Sequence, residues 1–192
     1  MILTLTHWWI VGLWTVFLTY WAIAALFIKR GAERVSVRRG RVTRIAIFLV
    51  ILGSVLLVRR SGELRALQWE ELHSIPMALI GSTLATIGAI LAFSARVTIG
   101  SNWGPPGLRK TNTELVTHGP YRFIRHPIYA GALLMMAGTA IALTPIWWIA
   151  AVVGGIYFVR SARAEETYMA GLFPDAYRAY RARTKMLVPY LF

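Results

Sequence analysis

The amino-acid sequence predicts an all-α fold, a polytopic integral membrane protein with about five transmembrane helices. Of its 192 residues, 57% are hydrophobic and only 15% are charged, and the mean hydropathy is +0.55. This composition is too apolar for an ordinary soluble domain. The net charge of +13 comes from short basic segments between apolar runs. That pattern favours contact with anionic membrane lipid and disfavours nucleic-acid binding.

Three apolar runs predict the transmembrane helices of the N-terminal region, residues 1–99. Residues 8–28 contain no charged side chain, and Lys29 follows them. A helix of this length crosses the roughly 30 Å hydrocarbon core. We read this run as a retained span and not as a removed signal peptide. A shorter span is predicted at 42–58 and a full-length span at 75–95. Small residues recur near helical spacing on the third span, as expected where helices approach closely; they are Gly81, Ser82, Ala85, Gly88, Ala89 and Ala92.

The C-terminal region, residues 100–192, begins with a stretch that cannot span. Residues 100–107 are rich in glycine and proline, which predicts an ordered loop on one face. Two short apolar segments, 128–143 and 146–159, then predict a helical hairpin joined at Thr144-Pro145. The polar remainder predicts an amphipathic helix that packs back on the core or the headgroups; its apolar and aromatic positions are Tyr168, Leu172, Tyr177 and Tyr180. We expect both regions to form one integrated domain.

The distribution of basic residues predicts the membrane orientation. Lys and Arg number seven in 29–44, three in 59–65, five in 96–125 and six in 160–185. Alternate segments therefore hold most of the positive charge, which belongs on the cytoplasmic side. This predicts an N-terminus outside, with the 96–125 loop and the C-terminus inside. The compact chain suggests a prokaryotic cytoplasmic membrane.

A polar, cationic segment directly precedes the predicted hairpin. Pro127 suits the first turn of a helix, so His126 lies near a donor-rich helix end that favours a carboxylate. Arg125 adds a planar cationic donor, and Tyr121 and Tyr129 offer faces for an aromatic base or a sulfonium cation. The alternative is a plain membrane interface, where basic and aromatic residues commonly gather.

A second polar cluster follows the last predicted span and contains Arg160, Arg163, Glu165 and Glu166. Carboxylates at a membrane boundary are costly unless they are solvated or paired, so one of them could bind ribose hydroxyls or an ammonium. A solvated helix face with a weak pair between Arg163 and Glu166 is the alternative. The chain has no cysteine and its four histidines lack metal-ligand spacing, so no metal site is predicted.

These motifs resemble the isoprenylcysteine carboxyl methyltransferase family, which is similar to the phospholipid methyltransferases. The resemblance rests on the run 114–131, the apolar hairpin, the Glu165-Glu166 pair, the segment 173–180 and Val188-Pro189. It covers about residues 100–192. It implies an enzyme that uses S-adenosylmethionine in a cytosolic pocket formed by the C-terminal half, with a lipophilic or lipid-modified substrate arriving from the bilayer.

The resemblance also implies functional residues. Together with Arg125, the predicted cofactor-binding residues are Thr113, Glu114, Leu115, Val116, Tyr121, His126, Pro127, Ile128, Tyr129, Glu165 and Glu166. The family's substrate-side arginine would be Arg160 or Arg163. Alignment from the hairpin selects Arg160, whereas alignment back from Phe173 places Ser161 at that position. Segment 103–111 departs from the family pattern and is assigned no cofactor contact. A carboxylate acceptor needs no general base, whereas an amine or phenol acceptor could use His126 or a Glu.

Other functions remain open at this point. The acceptor could be an isoprenylcysteine carboxylate, a phospholipid amine or another amphiphile. Membrane sterol reductases share a similar C-terminal half and use NADPH, and the end of the chain, 189–192, suits that interpretation. A noncatalytic membrane subunit is a third possibility and predicts no cofactor binding. The sequence does not indicate an oligomeric state.

Overall fold

The computed structural model describes residues 1–26, 33–34, 74–104, 108–109, 113–143 and 146–190. The helices in these ranges are α1 (Ile2–Leu26), α2 (Ile75–Ile99), α3 (Pro127–Ala142), α4 (Ile146–Leu172) and α5 (Pro174–Arg183). Short 3₁₀ turns cover Gly100–Asn102 and Gly119–Arg122. Two-residue strands, β1 (Glu33–Arg34) and β2 (Leu108–Arg109), pair antiparallel, with Glu33 opposite Arg109. The predicted all-α class is confirmed apart from this small ladder.

Among the described residues, two helices are long and apolar enough to cross a membrane, over Ile2–Ala24 and Ile75–Asn102. The first begins before the predicted start at Trp8, because residues 2–7 contain no proline or glycine that would interrupt a helix. Helix α3 has 16 residues, which correspond to about 24 Å. The predicted span at 42–58 lies outside the described residues, so the count of five spans stays a prediction.

A glycine seam joins α2 to α3 along their length. Gly81 and Gly88 of α2 face Gly138 and Gly131 of α3, which makes the two helices antiparallel. A Cβ added to Gly88 would lie 2.6 Å from the carbonyl oxygen of Gly131, and one added to Gly131 would lie 2.5 Å from that of Gly88. Only hydrogen side chains permit this backbone approach. The small-residue contact predicted for the third span is confirmed, and it fixes the start of α3 beside the end of α2.

Helix α1 packs on this pair through aromatic rings. Phe17 stacks on Trp21 with ring centroids 4.2 Å apart, and both rings lie near Phe93 of α2. The Trp14 indole donates a hydrogen bond to Thr139 Oγ1 of α3 at 3.0 Å. Aromatic area and a buried hydrogen bond therefore connect the first helix to both members of the seam.

Helices α3 and α4 lie at the two segments predicted as a hairpin, whose predicted joint at residues 144–145 is outside the described residues, and the polar residues beyond Arg160 divide between the end of α4 and a separate helix, α5. Helix α4 runs without interruption to Leu172, because residues 160–170 are good helix formers that bring neither glycine nor proline. Pro174 then begins α5 at its first turn, where a missing N–H costs nothing. The aromatic and apolar positions are consequently divided between two helices, the last turns of α4 and the whole of α5.

The segment after α5 returns to the entrance of α3. Its backbone forms a parallel bridge in which Lys185 pairs with Ile124. The N–H of Arg125 donates to the carbonyl of Lys185 at 2.8 Å, and the N–H of His126 donates to that of Met186 at 3.0 Å. Met186 is buried. The C-terminal segment thus holds the residues just before α3 in place.

Candidate active site

A cavity lies where the end of α2, the start of α3, and α4 and α5 converge. Four groups of residues line it. They are Ile99, Asn102, Trp103 and Gly104 after α2; Thr113, Glu114, Leu115 and Val116 in an extended segment; Tyr121, Arg125, His126, Ile128 and Tyr129 around the start of α3; and Glu165, Tyr168, Met169, Tyr177 and Tyr180 from α4 and α5. Segments distant in sequence therefore form one wall.

Stacked rings and a carboxylate form one side of the cavity. The His126 imidazole is parallel to the Tyr129 ring, with centroids 5.5 Å apart, and Tyr129 stacks in turn on Phe158 at 4.8 Å. The Tyr129 hydroxyl donates to Glu165 Oε1 at 2.5 Å, and His126 Nδ1 lies 3.6 Å from Glu165 Oε2. Poor solvation in the cavity wall raises the pKa of Glu165, against the lowering influence of His126 and then of Tyr129.

The Nε2 atom of the His126 ring lies beside Glu166 and lacks a hydrogen bond to any described residue. Within the described part of the chain, its Nε2 atom is buried and has no hydrogen-bond partner. It lies 3.5 Å from Glu166 Oε1, without the alignment of a hydrogen bond. A buried nitrogen in this state carries an unmet desolvation cost. A polar ligand group that reached it would remove that cost.

The neighbouring Glu166 has a different surrounding from Glu165. Its Oε1 atom accepts a 2.6 Å bond from Arg125 Nε, and the two side chains are only 6% and 7% exposed. Arg125 Nη1 also donates to the Thr184 carbonyl at 2.5 Å. Burial alone would raise the pKa of Glu166, but His126 and Arg125 outweigh it and lower that pKa to about 2. Glu166 is therefore a charged partner that holds Arg125 in position.

Helix α5 covers the cavity with two tyrosines. The buried Tyr180 hydroxyl donates to the Tyr121 carbonyl at 2.6 Å, and Thr184 Oγ1 donates to the Tyr180 carbonyl at 2.7 Å. Burial raises the pKa of Tyr180 to about 12, so this hydroxyl stays protonated and keeps donating. Tyr177 lies one turn earlier on the same face. The helix thus closes the side of the cavity away from α2.

Ten of the twelve predicted cofactor residues line the cavity. The exceptions are Pro127, which is fully buried in the first turn of α3, and Glu166, which faces a second, open groove. Arg160 and Arg163 are exposed on α4 and line no part of the cavity; Arg163 borders the second groove. Their assignment as substrate-side residues stays a prediction.

Several wall residues were not predicted from the sequence. Segment 103–111 was assigned no contact, yet Trp103 and Gly104 line the cavity, as do Ile99 and Asn102. Asn102 Oδ1 accepts the Glu114 N–H at 3.2 Å, which fixes the extended segment against the end of α2. Tyr168, Met169, Tyr177 and Tyr180 come from the region interpreted as a packing helix. The one signal available in the sequence was the spacing of Tyr177 and Tyr180, which are three residues apart and so lie on one helix face.

The sequence profile of the phospholipid methyltransferase (PEMT) family matches residues 77–176. This match begins in α2 and ends in the first turn of α5, so it includes the glycine seam and every cavity-lining residue except Tyr177 and Tyr180. It covers more than half of the chain.

Individual proteins extend this likeness. Protein-S-isoprenylcysteine O-methyltransferase B of Arabidopsis thaliana is 35% identical over 115 residues, which make up 58% of each chain. The cobalt-zinc-cadmium resistance protein CzcN of Cupriavidus metallidurans is 32% identical over 153 residues, covering 77% of this chain and 64% of that protein. The chain thus spans about three fifths of the length of these relatives.

The fold is similar to a solved structure of the eukaryotic intramembrane Ras methyltransferase ICMT (isoprenylcysteine carboxyl methyltransferase). The TM-score is 0.53 at 21% identity, and the superposition covers 81% of this chain and 53% of that one. This likeness supports the helical arrangement. The family match and the apolar helices indicate an integral membrane protein. The resemblance carried by residues 114–189 is confirmed, and the chain belongs to the phospholipid methyltransferase family.

Proposed function

We propose that this protein is an S-adenosylmethionine-dependent methyltransferase that acts on a lipophilic acceptor. The methylated group is a carboxylate like that of an isoprenylcysteine. The observation that carries the proposal is the cluster of His126, Tyr129 and Glu165 in the wall of a cavity at the end of apolar helices. Aromatic faces, a carboxylate and an unsatisfied imidazole nitrogen suit a ligand that is both cationic and anionic.

The donor set fits the cofactor. Glu165 offers a carboxylate for an ammonium or for ribose hydroxyls, and the buried His126 Nε2 offers a contact for a carboxylate when it carries a proton. Tyr121 and Tyr129 supply faces for an adenine ring or a sulfonium. The extended segment Thr113 to Val116 supplies backbone groups. When bound, S-adenosylmethionine would supply an electrophilic methyl group.

The protein's own residues would act by positioning and by excluding water. Helix α5 covers the cavity with Tyr177 and Tyr180, which keeps water from the reacting groups. A carboxylate acceptor is already a nucleophile and needs only orientation. An amine acceptor would have to lose a proton, and the raised pKa of Glu165 suits that group to accept one.

The acceptor class and the membrane orientation belong to the same proposal. The name of the Arabidopsis relative supports an isoprenylcysteine acceptor, and the profile of the family supports a phospholipid amine as the alternative. The excess of Lys and Arg in alternate segments supports five spans, an outside N-terminus, and a cavity on the cytoplasmic side of the membrane.

Calorimetry on the detergent-purified protein tests the proposal, with S-adenosylmethionine, its demethylated product and NADPH as ligands. We expect saturable binding of the first two, weakened about tenfold by Glu165→Gln, since one charge-assisted contact contributes about 1.4 kcal/mol or more. Asp175→Asn is the matched control, because its carboxylate is 93% exposed on α5. Preferential NADPH binding would favour a reductase, and absence of binding for all three would favour a noncatalytic subunit.

A further inference from the structure

Arg96 is the single charged residue in the sequence of α2, and it lies near the C-terminal end of that helix. The 25-residue helix is otherwise apolar or small, so its end lies at the depth where charged headgroups meet hydrocarbon. Three residues later Ile99 lines the cavity, and so do Asn102 and Trp103. Arg96 is therefore a cation positioned directly behind the α2 side of the cavity wall.

The guanidinium of Arg96 is held by aromatic rings and not by an acid. Its Cζ atom lies 4.6 Å from the centroid of the Trp103 ring and 6.0 Å from that of Tyr20. Nη1 donates to the Gly100 carbonyl at 2.9 Å. Nε is buried and has no hydrogen-bond partner, and no carboxylate lies within ion-pair distance in the described part of the chain.

Two ordinary roles account for only part of this arrangement. A basic residue at the end of a span commonly anchors the helix by extending its head into water, but here the side chain is half-buried and Nε is shielded from solvent. Cations also cap helix ends, and the bond to Gly100 is of that kind. That bond uses one of five N–H donors. A half-buried cation with a buried, unsatisfied donor has the properties of an anion site.

We propose that Arg96 binds the anionic headgroup of an amphiphilic acceptor at the edge of the cavity. The ligand class is a carboxylate or phosphate attached to a hydrocarbon chain. The planar guanidinium is fixed against Trp103, so its remaining N–H groups present a preformed fork that matches either oxyanion. The hydrocarbon chain stays in the lipid, beside the aromatic contact of α1 and α2. This assignment rests on the proposed function and gives to Arg96 the role predicted for Arg160 or Arg163.

Three probes test the assignment. Each carries the same farnesyl chain, and they differ in the charge of the headgroup. They are N-acetyl-S-farnesylcysteine, its uncharged methyl ester, and farnesyl phosphate. Dissociation constants are measured on the full chain in a neutral detergent for the parent, Arg96→Gln and Arg96→Lys. Arg122→Gln is the matched control, because this exposed arginine also lies over a ring, 4.4 Å from Phe123, away from the cavity. Binding of S-adenosylmethionine is measured on every variant.

We expect the parent to bind the carboxylate at least tenfold more tightly than the ester. Arg96→Gln should reduce this preference to about twofold while the cofactor constant stays within twofold. Arg96→Lys should retain part of the preference, and Arg122→Gln all of it. Comparison of the carboxylate with the phosphate identifies which anion the site favours.

Two results would overturn the assignment: an undiminished anion preference in Arg96→Gln, or no anion preference in the parent. The measurements distinguish failure of this assignment from failure of the proposed function. If S-adenosylmethionine fails to bind the parent while the anion preference depends on Arg96, the anion site stands and the methyltransferase proposal falls.

Discussion

The buried ion pair between Arg125 and Glu166 should dominate the stability of the region around the cavity. It joins the entrance of α3 to α4 at 2.6 Å, and the bond from Arg125 to the Thr184 carbonyl adds the C-terminal segment. Glu166→Gln leaves the guanidinium without its counterion in a nearly dry site, which typically costs about 3–5 kcal/mol. The lowering of the Glu166 pKa from 4.5 to about 2, caused by His126 and Arg125 together, has the same sign: both partners favour the charged carboxylate in the folded protein.

The same pKa gives the pH dependence and its sign. A carboxylate whose pKa is lower in the folded protein stabilises the fold above its unfolded value, near 4.5, and this contribution is lost as the pH falls toward 2. The parent should therefore lose stability across that window. Glu166→Gln should lack this part of the decline, so the difference between the two proteins should be largest near neutral pH and smallest near pH 2.

Equilibrium unfolding in detergent, measured at several pH values, provides the assay. The double variant Arg125→Met with Glu166→Met should be more stable than Glu166→Gln, because it leaves no unpaired charge. Asp175→Asn breaks an exposed pair with Arg178, whose side chain is 83% exposed, and should change stability by less than about 1 kcal/mol. A loss below about 1 kcal/mol for Glu166→Gln, or a pH profile parallel to that of the parent, would refute this account of the ion pair.

Three further perturbations test other parts of the structure. Gly88→Ala should destabilise the fold by about 1–3 kcal/mol by separating α2 from α3, whereas Gly12→Ala, which has open space around it, should be neutral or slightly stabilising in the same unfolding assay. Tyr129→Phe removes the hydrogen bond to the α4 carboxylate and should raise the cofactor dissociation constant about three- to tenfold by calorimetry. Thr139→Val removes the acceptor for the Trp14 indole and should cost about 1 kcal/mol with a shift in tryptophan emission.

The helix pair that supports the site could be predicted because its signal is local. Small residues at helical spacing on the third predicted span indicated a close contact, and Gly81 and Gly88 make it. The Pro127 position likewise indicated the first turn of a helix, and α3 begins there. Both signals depend on one segment's own periodicity or backbone, which a single sequence contains.

The different surroundings of Glu165 and Glu166 could not be predicted, because they depend on the rotation of α4 against α3. Adjacent residues on a helix point about 100° apart, so one carboxylate faces the cavity and the other faces Arg125. Trp103 was missed for a related reason. Its Gly- and Pro-rich segment has no periodicity, and its position follows from the contact with Arg96. Contacts between residues far apart in the sequence leave no periodic pattern in either segment.

In the proposed membrane arrangement, the unbroken course of α4 connects the site to the surrounding lipid. Glu165 lies 19 residues beyond the start of the helix at Ile146, a distance of about 28 Å along the axis. Pivoting the helix about its start by about 5° would move this carboxylate by about 2.5 Å. This displacement is as large as the hydrogen-bond distance between the Tyr129 hydroxyl and Glu165 Oε1, which is 2.5 Å. Helices adjust their tilt to the thickness of the hydrocarbon layer. Acyl-chain length in the host membrane therefore bears directly on whether these two side chains meet.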